Sequence, residues 1–122
     1  VVDDHSGFRA WARRILEEDG LDVVGEAADG VGALEAVLQL RPSLVLLDVQ
    51  LPDMSGFEVA RRLAGLSCPS TVVLTSAQDA SDVGHGIRSS GAAGFVAKAE
   101  LSGRLLARLV DGGRGPAGGG GA

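Results

Sequence analysis

Short apolar runs alternate along this chain with longer segments whose apolar residues recur at helical spacing. Val1-Val2, Leu21 to Val24, Leu44 to Leu47, Thr71 to Leu74 and Gly94 to Ala97 are compact and mostly aliphatic, as buried strands are. Between the first two, Phe8, Trp11, Ala12, Ile15 and Leu16 share one face of a helix while Arg9, Arg13, Glu17 and Glu18 lie elsewhere, so Trp11 is expected in the core. Gly20 ends that helix. A second is predicted from Val31 to Leu40, where Pro42 prevents extension because it lacks a backbone donor and disfavours helix in the residue before it. Phe57, Val59, Ala60 and Leu63 mark a third, Asp79 to Ser90 a fourth, and Leu101 to Val110 a fifth with Leu101, Leu105, Leu106 and Leu109 along one side. Such alternation predicts an α/β fold, a parallel sheet of five strands covered by helices on both faces. Val1-Val2 is short for a central strand, so the first strand is expected to be cut short. From Gly112 the chain is mostly glycine with Arg114 and Pro116, which buries nothing. The folded domain is therefore placed at 1–111, and 112–122 is read as a disordered tail or a cut linker.

Four of the apolar runs end on reactive polar residues. Val1-Val2 leads into Asp3-Asp4, Leu47 into Asp48, Leu74 into Thr75, and Ala97 into Lys98. If the runs are parallel strands, these residues line the carboxyl edge of one sheet, where open α/β folds bind ligands. Three carboxylates suit a small hard cation that takes oxygen ligands, with Mg²⁺ the best fit, and few protein oxygens leave coordination positions for phosphate. An aspartate can act as nucleophile toward phosphorus, and Asp48 is the natural acceptor. Lys98 supplies a second cation for the phosphoryl oxygens, and Thr75 a hydroxyl that can donate to them.

Charge and composition narrow the reading. The 122 residues leave room for one domain, and the net charge of −5 disfavours direct contact with nucleic acid, which needs clustered Lys and Arg. No apolar stretch approaches the ~20 residues that cross a bilayer. Cys68 is the only cysteine and no secretory signal is visible, from which a cytoplasmic setting without a disulfide is expected. His5, beside the acids, reads as a solvated loop residue that could tune the rim of the site.

Taken together, the Asp3-Asp4 pair, the stretch Leu47-Asp48-Val49-Gln50-Leu51-Pro52-Asp53-Met54-Ser55-Gly56, Leu74-Thr75-Ser76 and Gly94-Phe95-Val96-Ala97-Lys98 resemble the receiver domain of bacterial two-component response regulators. The resemblance covers nearly everything before Gly112, and Ala99-Glu100-Leu101-Ser102 is similar to the subgroup that precedes a helix-turn-helix output domain. It implies a flavodoxin-like doubly wound sheet of strand order 2-1-3-4-5. It further implies that Asp48 is phosphorylated by a histidine kinase or a histidine phosphotransfer protein. Mg²⁺ would be held by Asp4, Asp48 and the backbone carbonyl of Gln50, with Asp3 helping through water, while Lys98 and Thr75 contact the phosphoryl group. Phe95 would be the switch aromatic that moves with Thr75, changing the surface of the fourth helix, fifth strand and fifth helix. Homodimerisation on phosphorylation is a possible output. Such a domain assists its own phosphorylation and hydrolysis but is not an enzyme with an external substrate.

Two other readings compete. An Mg²⁺-dependent phosphatase with an aspartate nucleophile calls for a second acid two residues on, where this chain has Gln50. A receiver-like binding module that signals without phosphate would keep the pocket and dispense with its chemistry. Asp48 alone would suit a turn cap and Phe95 alone a core position.

Overall fold

Strands and helices alternate as α1 (Ser6–Glu18), α2 (Gly30–Leu40), β1 (Leu44–Asp48), α3 (Gly56–Gly65), β2 (Thr71–Ser76), α4 (Gly84–Ser90) and β3 (Gly94–Ala97). A 3-10 turn at Lys98–Glu100 and helical residues at 103–109 follow. The computed structural model describes residues 1–66, 69–77 and 84–109. The predicted tail, Cys68, Val110 and the part of the predicted fourth helix at 79–83 lie outside them.

β1, β2 and β3 form a parallel sheet in that order, with Leu44 opposite Thr71, Asp48 opposite Thr75, and Thr75 opposite Val96. Side chains alternate between the faces of a strand, and both faces are covered. Val45, Leu47, Val72 and Leu74 pack with Ala33 and Val37 of α2 and Val59, Ala60 and Leu63 of α3. Leu46, Val73 and Val96 pack on the other side with Ala12 and Leu16 of α1 and with Leu106. This is the doubly wound arrangement predicted. Two strands run further than the hydropathy pattern indicates, so Asp48 and Thr75 are ladder residues rather than the first residues beyond it.

The described residues do not form the expected five-stranded sheet. Val2 makes single parallel bridges to Leu47 on one side and Ala27 on the other. Its N–H donates to the Leu46 carbonyl at 2.8 Å, and its own carbonyl accepts from the Asp48 N–H at 3.0 Å. The first and second positions of the order 2-1-3-4-5 are thus reduced to bridges. Leu21 to Val24 is no strand, because Val1 and Asp3 find their partners at Gly25 and Ala27 instead. Leu21 and Val23 pack against the α1 side of the core, while Val24 is left exposed. Trp11 is also no core residue. Ala12 and Leu16 fill the buried stripe of α1, and the indole lies at its margin, 37% exposed and tilted against Phe8 at 5.7 Å.

Beside these bridges the edge of β1 borders a cavity of about 550 Å³ lined by Val1, Leu21, Val23, Leu40, Leu44 and Leu46 among others. The Val1 ammonium sits over it, 3.2 Å from the Gly25 carbonyl, and burial pushes its pKa down.

The loop after β1 is fastened to α2. The Asp53 carboxylate accepts hydrogen bonds from Gly30 N–H at 2.7 Å and Val31 N–H at 3.0 Å, two donors that a helix start leaves open. Asp29 caps the same helix through Gly32 N–H, and the Met54 side chain lies so close to Gly30 that a Cβ there would meet it at 2.5 Å. At the other end of the loop Ser55 Oγ accepts from Glu58 N–H at 3.1 Å, an N-cap for α3.

Two predictions follow from this geometry. Adding two or three valines ahead of Val1 should extend the first strand along the Leu44 edge, fill the cavity and move the ammonium out of it. Each well-buried valine should then add about 1.5–3 kcal/mol in urea unfolding, and an unchanged midpoint would show that the slot does not accept a strand. The α2 amide bonds hold the Asp53 carboxyl below its ordinary 3.8. A carboxyl depressed in the folded state stabilises above its unfolded value and loses that contribution as pH falls through the folded one. Asp53→Asn should therefore melt earlier than the native chain at neutral pH and converge with it in acid, as thermal melts across pH would record.

Candidate functional site

Strand parity builds the site. Asp48 lies two residues beyond Leu46, Thr75 two beyond Val73, and Lys98 two beyond Val96, so all three side chains leave the sheet on the α1 side. Asp3 follows Val2, which is bridged to β1 next to Asp48. The ends converge as predicted. Lys98 Nζ lies 2.6 Å from Asp3 Oδ2 and donates to Asp48 Oδ2 at 3.2 Å. Asp3 and Thr75 are fully buried and Asp48 is nearly so.

The Gln50 N–H donates to Asp48 Oδ1 at 3.1 Å, which orients the carboxylate. Gln50 is itself fixed by an antiparallel bridge to Ser55, and Gly56 N–H donates to the Val49 carbonyl at 2.8 Å. Only glycine fits at the start of α3, because a Cβ on Gly56 would collide with the Asp48 carbonyl oxygen.

Asp4 stays half-exposed. His5 Nδ1 lies 3.1 Å from Asp3 Oδ1 and 3.1 Å from Asp4 Oδ1, and the His5 N–H donates to Asp3 Oδ1 at 2.8 Å. One ligand atom from each of Asp3, Asp4, His5 and Asp48 lies within 4.8 Å of the others, close enough for a single ion. The donor set fits a divalent cation. Asp3 Oδ2 meets the ammonium as a charge contact without hydrogen-bond alignment, so it and Thr75 Oγ1 are buried oxygens with no hydrogen-bond partner among the described residues. Buried oxygens of this kind are uncommon and call for an ion, a water or a ligand.

The three charges shift one another. Burial raises the Asp3 carboxyl, but the Lys98 ammonium and the His5 N–H outweigh it and hold the group below its ordinary value. Burial and the neighbouring Asp3 charge push Asp48 up despite the Gln50 N–H. Burial would lower Lys98, yet the two carboxylates keep it above its ordinary value. The pocket thus has a firm anion in Asp3, a firm cation in Lys98, and in Asp48 a carboxylate short of compensating positive charge.

Phe95 is not part of this cluster. Its odd register puts it on the opposite face, partly buried against the α2–α3 side of the core, one residue before the strand position that faces Thr75.

Two supporting residues escaped the sequence reading. Arg9 donates from Nη1 to the Asp3 carbonyl at 2.7 Å and from Nε to Glu26 at 3.1 Å, and Arg13 joins the same carboxylate at 2.9 Å. The ring of Phe8 lies under Lys98 Nζ, 4.4 Å from centroid to nitrogen, a cation–π contact that helps aim the ammonium. Both sit on α1, where amphipathic spacing labels one as surface and the other as core.

The chain is similar in sequence and fold to known proteins. The chain is 37% identical over 100 residues to BvgA, a virulence-factor transcription regulator of Bordetella pertussis, matching 82% of this chain and 48% of that protein. It is 37% identical over 112 residues to the transcriptional regulatory protein NarL of Mycobacterium tuberculosis, matching 91% of this chain and 52% of NarL. The structure of the NarL signal receiver domain superimposes with a TM-score of 0.83 at 36% identity, covering 93% of each chain. The chain spans about half the length of these two regulators. Residues 1–110 match the response regulator receiver domain, and the chain belongs to that family.

Proposed function

We propose that this chain is the phosphoacceptor domain of a two-component response regulator, phosphorylated on Asp48. The convergence of Asp3, Asp48 and Lys98 beside Thr75 carries the reading. A histidine kinase or histidine phosphotransfer protein is the donor. An Asp48 carboxylate oxygen forms the new O–P bond as the N–P bond of the phosphohistidine breaks, and its electron pair returns to the imidazole.

Asp4, Asp48 and the Gln50 backbone carbonyl would hold Mg²⁺, with Asp3 helping through water, and the ion would supply charge neutralisation for the phosphoryl oxygens. Gln50 N–H holds the nucleophilic carboxylate in place. Lys98 leaves its carboxylate partners for the incoming phosphoryl group, and Thr75, whose hydroxyl is uncommitted among the described residues, donates to it. A phosphoryl group brings about 1.5–2 negative charges, enough to draw Thr75 and, through the adjoining strand, reset the packing of Phe95 on the opposite face of the sheet. The altered surface is that of α4, β3 and the last helix, and α1 meets the donor.

The domain has no external substrate. It works in the cytoplasm, and phosphorylation promotes pairing with a second copy. The names of its relatives support transcription as output, delivered through residues other than these, since an acidic segment of net charge −5 is ill suited to contact DNA phosphates.

Intact mass after incubation with acetyl phosphate and Mg²⁺ should show an adduct of roughly 80 Da that disappears with chelator and in Asp48→Asn. Lys98→Ala should slow its formation about a hundredfold. An unmodified but folded native chain would instead favour a phosphate-independent binding module. Stability provides a separate check. Because Asp48 titrates above its ordinary value when folded, its ionisation costs stability as pH rises through that window. Asp48→Asn should therefore melt later than the native chain at neutral pH in the absence of Mg²⁺.

A further inference from the structure

His5 stands where the ordinary receiver chemistry has no use for it. It occupies the N-cap position of α1 yet makes no side-chain capping bond, and its backbone is held at both ends, by His5 N–H to Asp3 Oδ1 and by Arg9 N–H to the His5 carbonyl. The imidazole is 72% exposed, free to point into solvent, but Nδ1 sits 3.1 Å from one oxygen each of Asp3 and Asp4. Bonds of about 2.1 Å to a transition ion place neighbouring ligand atoms about 3.0 Å apart in octahedral geometry and about 3.4 Å apart in tetrahedral geometry. His5 Nδ1 lies near the octahedral spacing from both Asp3 Oδ1 and Asp4 Oδ1, and an Asp48 oxygen completes a group within 4.8 Å. At the same strand ends Thr75 Oγ1 is fully buried without a hydrogen-bond partner among the described residues, and Asp3 Oδ2 has the Lys98 ammonium beside it at 2.6 Å but no aligned hydrogen bond there.

We propose that His5 makes this pocket a mixed nitrogen and oxygen site, which binds borderline-soft divalent ions of the Co²⁺, Ni²⁺ and Zn²⁺ class through the imidazole together with the carboxylates. The inference rests on the reading of the acid cluster as a cation site. Mg²⁺ is hard and keeps oxygen and water ligands, so it leaves the exposed imidazole in solvent. A transition ion favours imidazole and gains one more protein ligand. Held this way, it covers Asp48 and competes with Mg²⁺ for the carboxylates, so the pocket responds to transition-ion level as well as to phosphate.

Calorimetric titration of the full chain with Mg²⁺ and, separately, Co²⁺ tests this, alongside His5→Gln, His5→Ala and Asp48→Asn. Glutamine retains hydrogen bonding to the carboxylates without the ring nitrogen, and circular dichroism verifies that each variant is folded. Co²⁺ affinity should fall at least about tenfold in both His5 variants. Mg²⁺ affinity should move by less than about twofold, and the visible absorption of bound Co²⁺ should change with loss of the nitrogen ligand. Equal Co²⁺ affinity and an unchanged spectrum in His5→Gln, with binding weakened in Asp48→Asn, would overturn this inference and leave the cation site standing. Full binding of both ions by Asp48→Asn would overturn the two together.

Discussion

Two carboxylates buried side by side under one ammonium are the arrangement on which the rest of this molecule depends. Neither Asp3 nor Asp48 could lose its water at that depth without Lys98, and the desolvation of three charges is expensive unless geometry and further hydrogen bonds compensate. The compensation here comes from backbone as much as from side chains. Gln50 and His5 each aim an N–H at a carboxylate oxygen, and Arg9 secures the carbonyl of Asp3 from α1. The outcome differs between the two, for the Asp3 carboxyl is held below its ordinary value and the Asp48 carboxyl is pushed above it. The asymmetry separates a firm anion from a carboxylate that burial and a neighbouring charge leave short of compensation.

The strand-end residues were legible because parallel strands send their C-terminal ends to one edge. Asp3, Asp48, Thr75 and Lys98 could therefore be grouped before any distance was known. Ser55 and Gly56 belong to the stretch after Asp48 that carries the resemblance, but the reason for the glycine, the closeness of the Asp48 carbonyl, is not visible in the sequence. What stayed hidden depends on which segments meet. Leu21 to Val24 has the composition of a strand, yet hydrogen-bonding partners fall opposite Gly25 and Ala27, and composition is silent about partners. Trp11 obeys the helical period and still lies at the edge, because two smaller residues suffice to fill the buried stripe. Asp53 reads as an ordinary turn residue, and nothing local reveals that its carboxylate reaches a helix 22 residues earlier in the sequence.

The same dependence on long-range partners explains the fold's uneven finish. The β1–β2–β3 side is a continuous ladder with both faces packed, whereas the Val2 side is joined by single bridges beside a cavity. The site nevertheless forms. Asp3 needs only the Val2 bridge and the two N–H bonds around it to reach its place.

The loop that carries Gln50 is secured three ways, by Asp53 on α2, by Ser55 across to Gln50, and by Gly56 against the end of β1. On the far side of the pocket Thr75 has a hydroxyl with no commitment among the described residues, and Lys98 opens a single 3-10 turn. Asp48 thus lies between a loop fastened at three points and a side with fewer ties. If Asp48 is charged as proposed, the fastened loop offers little to rearrange, and the response would pass through Thr75 and Lys98.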